Sequence, residues 1–368
     1  MIRSHHAAAV AASLALATTA CGGSRDAAEP TTPEPAAEPE PGPDGIEPIP
    51  EGFERGPAPH LVVAGAAAAI DTYGELFGAE EIYRAPGPDG IILHAMIRIG
   101  DSVLTISDEQ PRAGSFAPGK FGGSPVGLHV YVDDAEEVYA RALASGARTL
   151  GAPVTYQFWG DRHGSFLGPF GHTWSVATRV ADVPREEIAE LASRALAGET
   201  IEEPADAQPL PIPEGWSVVT PSLVVADVAA AASYYEEALG AKVLSITPGP
   251  DGEPFHAEIR IRDQIVMLSA APATGDDEAA RDPHGLGGAP VQLTYYVEDA
   301  APVVSRAEAA GAQVRLPLQE MFWGDLWSEI EDPAGHVWSI ATHVEDVSPE
   351  EMQERMRDIV EGEASAAR

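Results

Sequence analysis

The chain presents the same landmarks twice and in the same order, so its second half restates its first. The proline-rich segment Pro48–Gly52 returns as Pro211–Gly215. Further matched pairs are Leu61–Val63 with Leu223–Val225, Gly87–Gly90 with Gly249–Gly252, His94–Ile99 with His256–Ile261, Phe158–Asp161 with Phe322–Asp325, and Gly171–Ser175 with Gly335–Ser339. Such a unit is too long for a solenoid repeat, and a chain of 368 residues favours two domains. The sequence therefore predicts a duplicated domain.

Within each copy, short strands alternate with single helices. The first copy has helical spacing of apolar residues that ends at Gly78, and a second such stretch that ends at Gly146. The predicted strands of this copy lie at 59–65, 80–85, 91–99, 102–107, 126–132, 149–157, 163–167 and 172–179. Each copy thus consists of two βαβββ modules. This pattern belongs to the α+β class and differs from the strand-helix alternation of a Rossmann fold.

The repeated motifs resemble the vicinal oxygen chelate (VOC) superfamily, also called glyoxalase/bleomycin resistance proteins, in its PhnB-like branch. The resemblance covers residues 57–183 and 219–348, and the closing segment Asp332–Thr342 is among its signatures. It implies that the two modules of each copy form a cupped eight-stranded mixed sheet, with helices outside and a ligand cavity inside. The expected tandem domains, each with a C-terminal helix, are 51–198 and 214–363. A linker, 199–213, joins them.

The N-terminus is predicted to direct export and to carry a lipid. Residues 1–21 form a signal peptide, because the apolar run at 7–20 is too short to span a bilayer comfortably. Cys21, the single cysteine, follows small residues and resembles the lipobox of bacterial lipoproteins, which implies lipidation at that position. Residues 22–50 are rich in Pro, Glu and Ala and predict a disordered tether. We expect an outer-membrane lipoprotein of the cell envelope, with a secreted or periplasmic soluble protein as the alternative.

The acidic composition limits the range of partners. The formal net charge of -36 opposes binding to nucleic acid, which requires basic patches that replace counterions. It also disfavours an anionic membrane surface, so contact with a lipid bilayer is expected only through the N-terminal anchor. Solubility explains such a charge, and attraction of a cationic ligand is the functional alternative. The two domains are expected to pack as an internal pseudo-dimer in a monomeric chain.

The resemblance also raises the question of a divalent metal cofactor. Superfamily enzymes hold the ion with His, Gln and Glu side chains on the first, fourth, fifth and eighth strands. The three strands that can be aligned place Ala58 and Thr220, Gly127 and Gln292, and Ser175 and Ser339 at these positions. Because such an ion needs three or four converging ligands, we expect no metal cofactor of the superfamily type. A relocated site around His60 and His129 is the alternative.

Strand parity identifies the side chains that could line the cavities. Residues that alternate with apolar neighbours should face inward. These candidates are His60, His94, His129, Tyr131 and Ser175, together with His256, Glu258, Arg260, Gln292, Thr294, Tyr296 and Ser339. We predict that His60 and His129 form an imidazole pair in copy one, with either an acid/base role or a purely structural one.

The repeated Phe-Trp-Gly-Asp segment adds an aromatic ring and a carboxylate to each copy. Trp159 with Asp161, and Trp323 with Asp325, are predicted near the cavity mouths. They could hold a cationic or polar organic ligand. Alternatively, the tryptophan packs the loop and the aspartate stabilises a turn.

Together these features predict a protein that binds a small organic ligand without the superfamily metal. The first alternative is a metal-dependent lyase, isomerase or dioxygenase with relocated ligands in the first domain. The second is an envelope scaffold with filled cavities. No nucleophile elbow, phosphate loop or zinc spacing is present in the sequence.

Overall fold

The computed structural model describes residues 49–87, 90–249, 251–271, 281–348, 350–352 and 354–355. The predicted signal peptide with Cys21 lies outside these residues, as does the tether up to residue 48. No helix in the described ranges is both long and apolar enough to cross a membrane.

The first copy has the order of elements that its sequence pattern predicts. Its elements are β1 (Ala58–Val63), α1 (Ala66–Phe77), β2 (Glu80–Pro86), β3 (Ile92–Ile99), β4 (Ser102–Asp108), β5 (Val126–Tyr131), α2 (Ala135–Ala144), β6 (Arg148–Tyr156), β7 (Asp161–Leu167), β8 (Thr173–Arg179) and α3 (Arg185–Leu196). Two short 3-10 turns, Pro111–Ala113 and Pro118–Lys120, lie between β4 and β5.

The second copy repeats this order. Its elements are β9 (Val219–Val225), α4 (Val228–Leu239), β10 (Lys242–Pro248), β11 (Pro254–Ile261), β12 (Gln264–Ala270), α5 (Pro283–Leu286), β13 (Val291–Tyr296), α6 (Ala300–Ala309), β14 (Gln313–Glu320), β15 (Asp325–Glu331) and β16 (Val337–His343).

Local sequence explains where the helices begin and end. The Asp134 side chain accepts a hydrogen bond from the Glu137 amide at 2.9 Å and caps α2. Helix α1 lacks such a cap of its own, and Asp108 at the end of β4 supplies it by accepting from the amides of Gly65 and Ala66, each at 2.8 Å. Gly78 ends α1 in the left-handed region at φ 68°. The cap from Asp108 therefore ties the first helix to the sheet that it covers.

The strands form two eight-stranded mixed sheets, which confirms the predicted fold class. Sheet I has the order β14-β15-β16-β13-β1-β4-β3-β2, and sheet II has the order β10-β11-β12-β9-β5-β8-β7-β6. Each sheet thus takes one βαβββ module from each copy. Exchanging the two copies maps one sheet onto the other.

The expectation that both modules of one copy share a sheet is wrong. Strand β1 pairs with β13 in antiparallel register, Ala58 opposite Thr294, whereas β5 pairs with β9, His129 opposite Thr220. Because β5 and β13 are copies of each other, they offer β1 closely similar edges. The repeat pattern alone could not indicate which of them β1 would join.

One face of each sheet packs against helices and forms the core. Trp174 and Trp338 are fully buried on this face, as their strand parity predicts. On β3, Ala95, Ile97 and Ile99 are also fully buried, while the residues between them are half-buried on the opposite face. The opposite faces are the concave ones, which we name cup I (sheet I) and cup II (sheet II).

A short segment precedes each copy and reaches the concave face. We call residues 49–57 leader 1 and residues 212–218 leader 2. Turns of the opposite sheet hold both leaders: Arg262 donates to the carbonyl of Glu54 at 3.3 Å, and Asp101 accepts from the Val218 amide at 2.8 Å. Helix α3, at the end of copy one, packs on β10 of copy two. The two copies are therefore joined by sheets, leaders and a helix.

Candidate functional site

Each sheet combines a module from each copy, an arrangement that we call module exchange. It divides the predicted cavity residues between the cups. Cup I takes His60, His94, Gln292, Thr294, Tyr296, Trp323, Asp325 and Ser339. Cup II takes His129, Tyr131, Trp159, Asp161, Ser175, His256, Glu258 and Arg260. The predicted imidazole pair is wrong, because β1, which carries His60, lies in sheet I, and β5, which carries His129, lies in sheet II.

His129 is the central side chain of cup II. It is 5% exposed, and its Nδ1 lies 3.0 Å from the Ser175 hydroxyl on the neighbouring strand β8. Its Nε2, on the other side of the ring, is buried and has no hydrogen-bond partner among the residues that the structure describes. Buried polar atoms are normally paired, so this nitrogen requires an explanation.

Aromatic rings frame the His129 imidazole. Tyr131 lies edge-on at 4.8 Å between ring centroids, His163 is stacked at 5.7 Å, and Trp216 of leader 2 lies edge-on at 5.9 Å. Sequence reasoning missed both His163 and Trp216. The alternation of β7 could have identified His163, and the repeated proline-rich segment, in which Trp216 matches Phe53, could have identified the tryptophan.

The electrostatics of cup II keep its imidazoles neutral. Burial, followed by the proximity of His163 and of His256, lowers the pKa of His129 to about 3. Burial also lowers the pKa of His163 to about 4. A neutral imidazole has one donor and one acceptor nitrogen. If the Ser175 hydroxyl donates to Nδ1, then Nε2 carries the proton and is a free donor.

Strand β11 forms the opposite wall of cup II. His256, Glu258 and Arg260 alternate with fully buried apolar residues and face the concave side, as their parity predicts. Burial lowers the pKa of His256, while the nearby Glu258 acts in the opposite direction. This wall therefore presents charged groups of both signs to the cup.

In cup I, by contrast, the central histidine is paired at both nitrogens, although the Ser339 hydroxyl is buried without a partner among the described residues. His60 Nδ1 lies 2.9 Å from the Thr105 hydroxyl, and its Nε2 lies 3.1 Å from the Ser107 hydroxyl. Its ring stacks on His94 at 5.9 Å. Burial, followed by the proximity of His94 and of His172, lowers the pKa of His60 to about 3. His60 thus has the contacts of a satisfied core histidine.

An apolar cluster fills the centre of cup I. Phe53 of leader 1 is 4% exposed, and its ring centroid lies 4.9 Å from that of Tyr296. The other members of the cluster are Ala58, Val103 and Ala341, with Ile49, Met96 and Trp327 packed against them. Leader 1 therefore closes cup I with a phenylalanine, in the place where leader 2 brings a half-buried tryptophan to cup II.

The Phe-Trp-Gly-Asp segment folds the same way in both cups. Asp161 Oδ2 accepts hydrogen bonds from the Tyr131 hydroxyl at 3.1 Å and from the Trp159 indole at 3.0 Å. Gly160 has φ 100°, and a Cβ there would lie 2.4 Å from the Ala181 carbonyl, so only glycine fits. Burial raises the pKa of Asp161 to about 6. These contacts favour the structural interpretation of Trp159 and Asp161.

In cup I the corresponding carboxylate has an additional partner. Asp325 accepts from the Tyr296 hydroxyl at 2.7 Å and from the Trp323 indole at 2.8 Å, and it also pairs with His343 Nδ1 at 2.8 Å. The hydrogen bond to Asp325, with a second one to Asp346, raises the pKa of His343 to about 9. Asp325 is therefore engaged on both of its oxygens.

A separate groove of about 590 Å³ lies outside both cups, beside the 3-10 turns of copy one. Phe116 and Phe170 line it, and the Lys120 Nζ lies 5.5 Å from the Phe116 ring centroid. The cups rather than this groove bring together the imidazole, guanidinium and carboxylate groups. We therefore place the candidate site in the cups.

The sequence pattern of one protein family matches this chain twice. It is the Glyoxalase/Bleomycin resistance protein/Dioxygenase superfamily, and the matches cover residues 58–176 and 217–340. The chain belongs to this superfamily. The resemblance that the repeated motifs carry is thus confirmed at the level of the superfamily.

Relatives of this superfamily member include mycobacterial proteins. An uncharacterized protein of Mycobacterium bovis is 42% identical over 134 residues, which is 36% of this chain and 88% of that protein. An uncharacterized protein of Mycobacterium tuberculosis has the same identity over 134 residues, which is 78% of its length. Glyoxalase I from Zea mays matches with a TM-score of 0.52 at 15% identity, over 82% of this chain and 96% of that one. This last likeness shows the fold alone.

The side chains present do not fit the metal that the superfamily implies. The aligned positions hold Ala58, Gln292 and Ser339 in cup I, and Thr220, Gly127 and Ser175 in cup II. In the described part of the chain, no group of three or more His, Cys, Asp or Glu side chains could hold a metal ion. His60, the central imidazole of cup I, already has a hydroxyl at each nitrogen. Neither cup therefore offers the converging donors that a divalent ion requires.

Proposed function

We propose that this superfamily member binds a small organic ligand in cup II, without a metal. The observation that carries the proposal is the buried Nε2 of His129, which has no partner among the described residues. An unpaired buried polar atom costs about 1–3 kcal/mol of stability. Such a cost is typical of a site that is completed only when a ligand binds.

The surroundings of His129 suit an organic molecule. Tyr131 and Trp216 supply flat apolar surface, and their ring centroids lie 5.8 Å apart. Trp216 is only half-buried, and it belongs to a leader rather than to a strand. A ligand would therefore reach the imidazole by displacing or packing against this ring. Cup I differs at the matching position, because Phe53 is buried there and belongs to an apolar cluster.

We also propose that the protein works in the cell envelope, as a PhnB-like lipoprotein. The support for this location comes from the sequence, namely the apolar run before Cys21 and the tether that follows it. The test is metabolic labelling with a palmitate analogue and fractionation of the membranes. We expect label in the wild-type chain and none in Cys21→Ser. Label at equal strength in both would contradict lipidation at this cysteine.

Ligand binding can be tested with a library of fluorinated fragments and fluorine NMR on the full chain. We expect hits that His129→Leu weakens at least about tenfold, because the free nitrogen is lost. His60→Leu is the matched control in cup I, and the same hits should bind it unchanged. Hits that bind wild type and His129→Leu equally would place the site elsewhere.

The absence of a metal requirement needs its own measurement. We expect elemental analysis of protein purified without chelator to find no stoichiometric divalent metal, and EDTA to leave the melting temperature unchanged. A ligand that binds only the folded state raises that temperature, so removal of a bound metal would lower it. Retained metal together with a loss of stability in EDTA would overturn the metal-free proposal.

A further inference from the structure

We propose that the ligand of cup II carries a carboxylate, which Arg260 and His129 bind from opposite walls, and an aromatic body that packs on Trp216. This inference rests on the proposed function and deepens it, because it names the chemical class of the ligand. It concerns cup II alone.

The strand register places the two anchoring side chains on one line across the cup. His129 on β5 is opposite Thr220 on β9, and Arg260 on β11 is opposite Ile265 on β12. Strands β12 and β9 are parallel, with Met267 beside Ser222, so Ile265 lies level with Thr220 and the two pairs share one row. Three strand steps separate His129 from Arg260, which is about 14 Å along a flat sheet. Because the sheet is cupped and an arginine side chain is long, both groups can reach one small molecule.

Arg260 lacks the charge partner that its counterpart has. In cup I, the equivalent Arg98 pairs with Glu51 of leader 1 at 2.9 Å. In cup II, leader 2 carries Glu214 at the matching position, but this side chain is exposed and makes no ion pair within the described ranges. Arg260 likewise has no ion pair there, and its Nε is buried without a hydrogen-bond partner. The guanidinium is thus available to an anion.

The chemistry of the two anchors matches a carboxylate. A guanidinium presents parallel N–H donors that match the two oxygens of a carboxylate. His129 Nε2 can add a further donor when the Ser175 hydroxyl donates to Nδ1 across 3.0 Å. Neither anchor depends on a proton from solvent, since the imidazole donates in its neutral form.

Negative charge elsewhere does not prevent this contact. Glu258 is on the same strand as Arg260, but it pairs with Met267. It therefore lies in the row next to the one that contains Arg260 and His129. The net charge of -36 repels an anion at long range, yet the screening length at physiological ionic strength is about 8 Å. Within the cup, Glu258 has an interaction of its own and Asp161 is hydrogen-bonded to Tyr131 and Trp159, so the Arg260 guanidinium remains available to an anion.

The test uses 4-fluorobenzoate and its uncharged isostere 4-fluorobenzamide, titrated into the full chain and followed by fluorine NMR. We expect wild type to bind the carboxylate about tenfold more tightly than the amide, since hydrogen bonds to charged groups are the stronger ones. Arg260→Gln should remove this preference and leave amide binding unchanged. Arg98→Gln in cup I is the matched control and should keep the preference.

The outcomes separate the two proposals. If both probes bind equally to wild type and Arg260→Gln has no effect, the carboxylate inference is overturned while a neutral ligand in cup II remains supported. If neither probe binds and the fragment library gives no hit that depends on His129, the proposed function fails as well. A preference for benzoate that Arg98→Gln removes would move the anion site to cup I and would also overturn the inference.

Discussion

The two cups are assembled from the same repeated parts, yet they differ in whether the central histidine and the arginine are paired. In cup I, His60 has a hydroxyl at each nitrogen, Arg98 has a carboxylate, and Phe53 fills the centre. In cup II, His129 and Arg260 each have a buried nitrogen with no partner among the described residues. The backbone alone therefore does not distinguish the two cups. The pairing of the buried histidine and arginine nitrogens does.

The difference comes from a few substitutions at matched positions. The central imidazole of cup I is on the first strand of its copy, where cup II has Ser222 instead of His60. The central imidazole of cup II is on the fifth strand, where cup I has Thr294 instead of His129. Each histidine thus meets a different set of neighbours. His60 is therefore paired at both nitrogens, whereas His129 has a buried nitrogen without a partner among the described residues.

The largest expected effect comes from removing the second copy. Residues 51–198 alone contain β1 and β5 but neither β13 nor β9, so the joining edges of both modules lose their partners. We expect this fragment to form a homodimer in which β1 of one chain pairs with β5 of the other. Analytical ultracentrifugation would measure its mass.

This homodimer would abolish the difference between the cups. Both would be identical, and each would contain His60 and His129 together, which the full chain keeps in separate sheets. Residues 214–363 serve as the matched fragment, since the same reasoning predicts that they also dimerise. A folded, monomeric 51–198 would contradict the account of module exchange.

The second prediction compares the aromatic residues of the two leaders. Phe53→Ala should lower the free energy of unfolding by about 3 kcal/mol, because it opens a cavity in a filled cup. Trp216→Ala should cost only about 1–2 kcal/mol, since the indole is half-buried. Urea denaturation with unchanged m-values would give both numbers. Equal losses would mean that leader 2 closes cup II as firmly as leader 1 closes cup I.

A third prediction compares the two central histidines by their effect on stability. His60→Leu should cost about 1–3 kcal/mol, because it leaves the buried hydroxyls of Thr105 and Ser107 without this partner. His129→Leu loses one hydrogen bond but also removes an unpaired buried nitrogen, so its free energy of unfolding should stay within about 1 kcal/mol of wild type. The same denaturation series measures both. A loss for His129→Leu as large as for His60→Leu would argue that Nε2 is not a free group.

The strands and helices could be predicted because their patterns are local. The alternation of Ala95, Ile97 and Ile99 with half-buried neighbours, and the glycine that ends α1, lie within single elements. The pairing of β1 with β13 depends instead on a choice between two nearly identical edges. Periodicity within single elements does not record that choice.

The candidate site could be predicted residue by residue but not as an assembly. Strand parity placed His256, Glu258 and Arg260 on the concave face, where the structure has them. It could not show that they share a cup with His129, because strands from different copies form each sheet. Nor could it reveal the partners of each atom, such as Glu51 at Arg98, since these come from a leader distant in sequence.

The smallest expected effect concerns the pH dependence of the two buried carboxylates. Asp325 of cup I lies opposite His343, whereas Asp161 of cup II lies opposite Arg179. The pKa of His343 rises from its ordinary 6.5 to about 9 in the folded protein, so its stabilising contribution is fully present below pH 6.5 and is lost as pH rises through about 9. His343→Gln should therefore lower the melting temperature by about 2–4 °C at pH 6 and hardly at all near pH 10. Arg179→Gln is the control in cup II, because it removes no imidazole, and calorimetry should find that its deficit persists near pH 10. A deficit of His343→Gln that also persists at high pH would show that the imidazole acts by packing and not by charge.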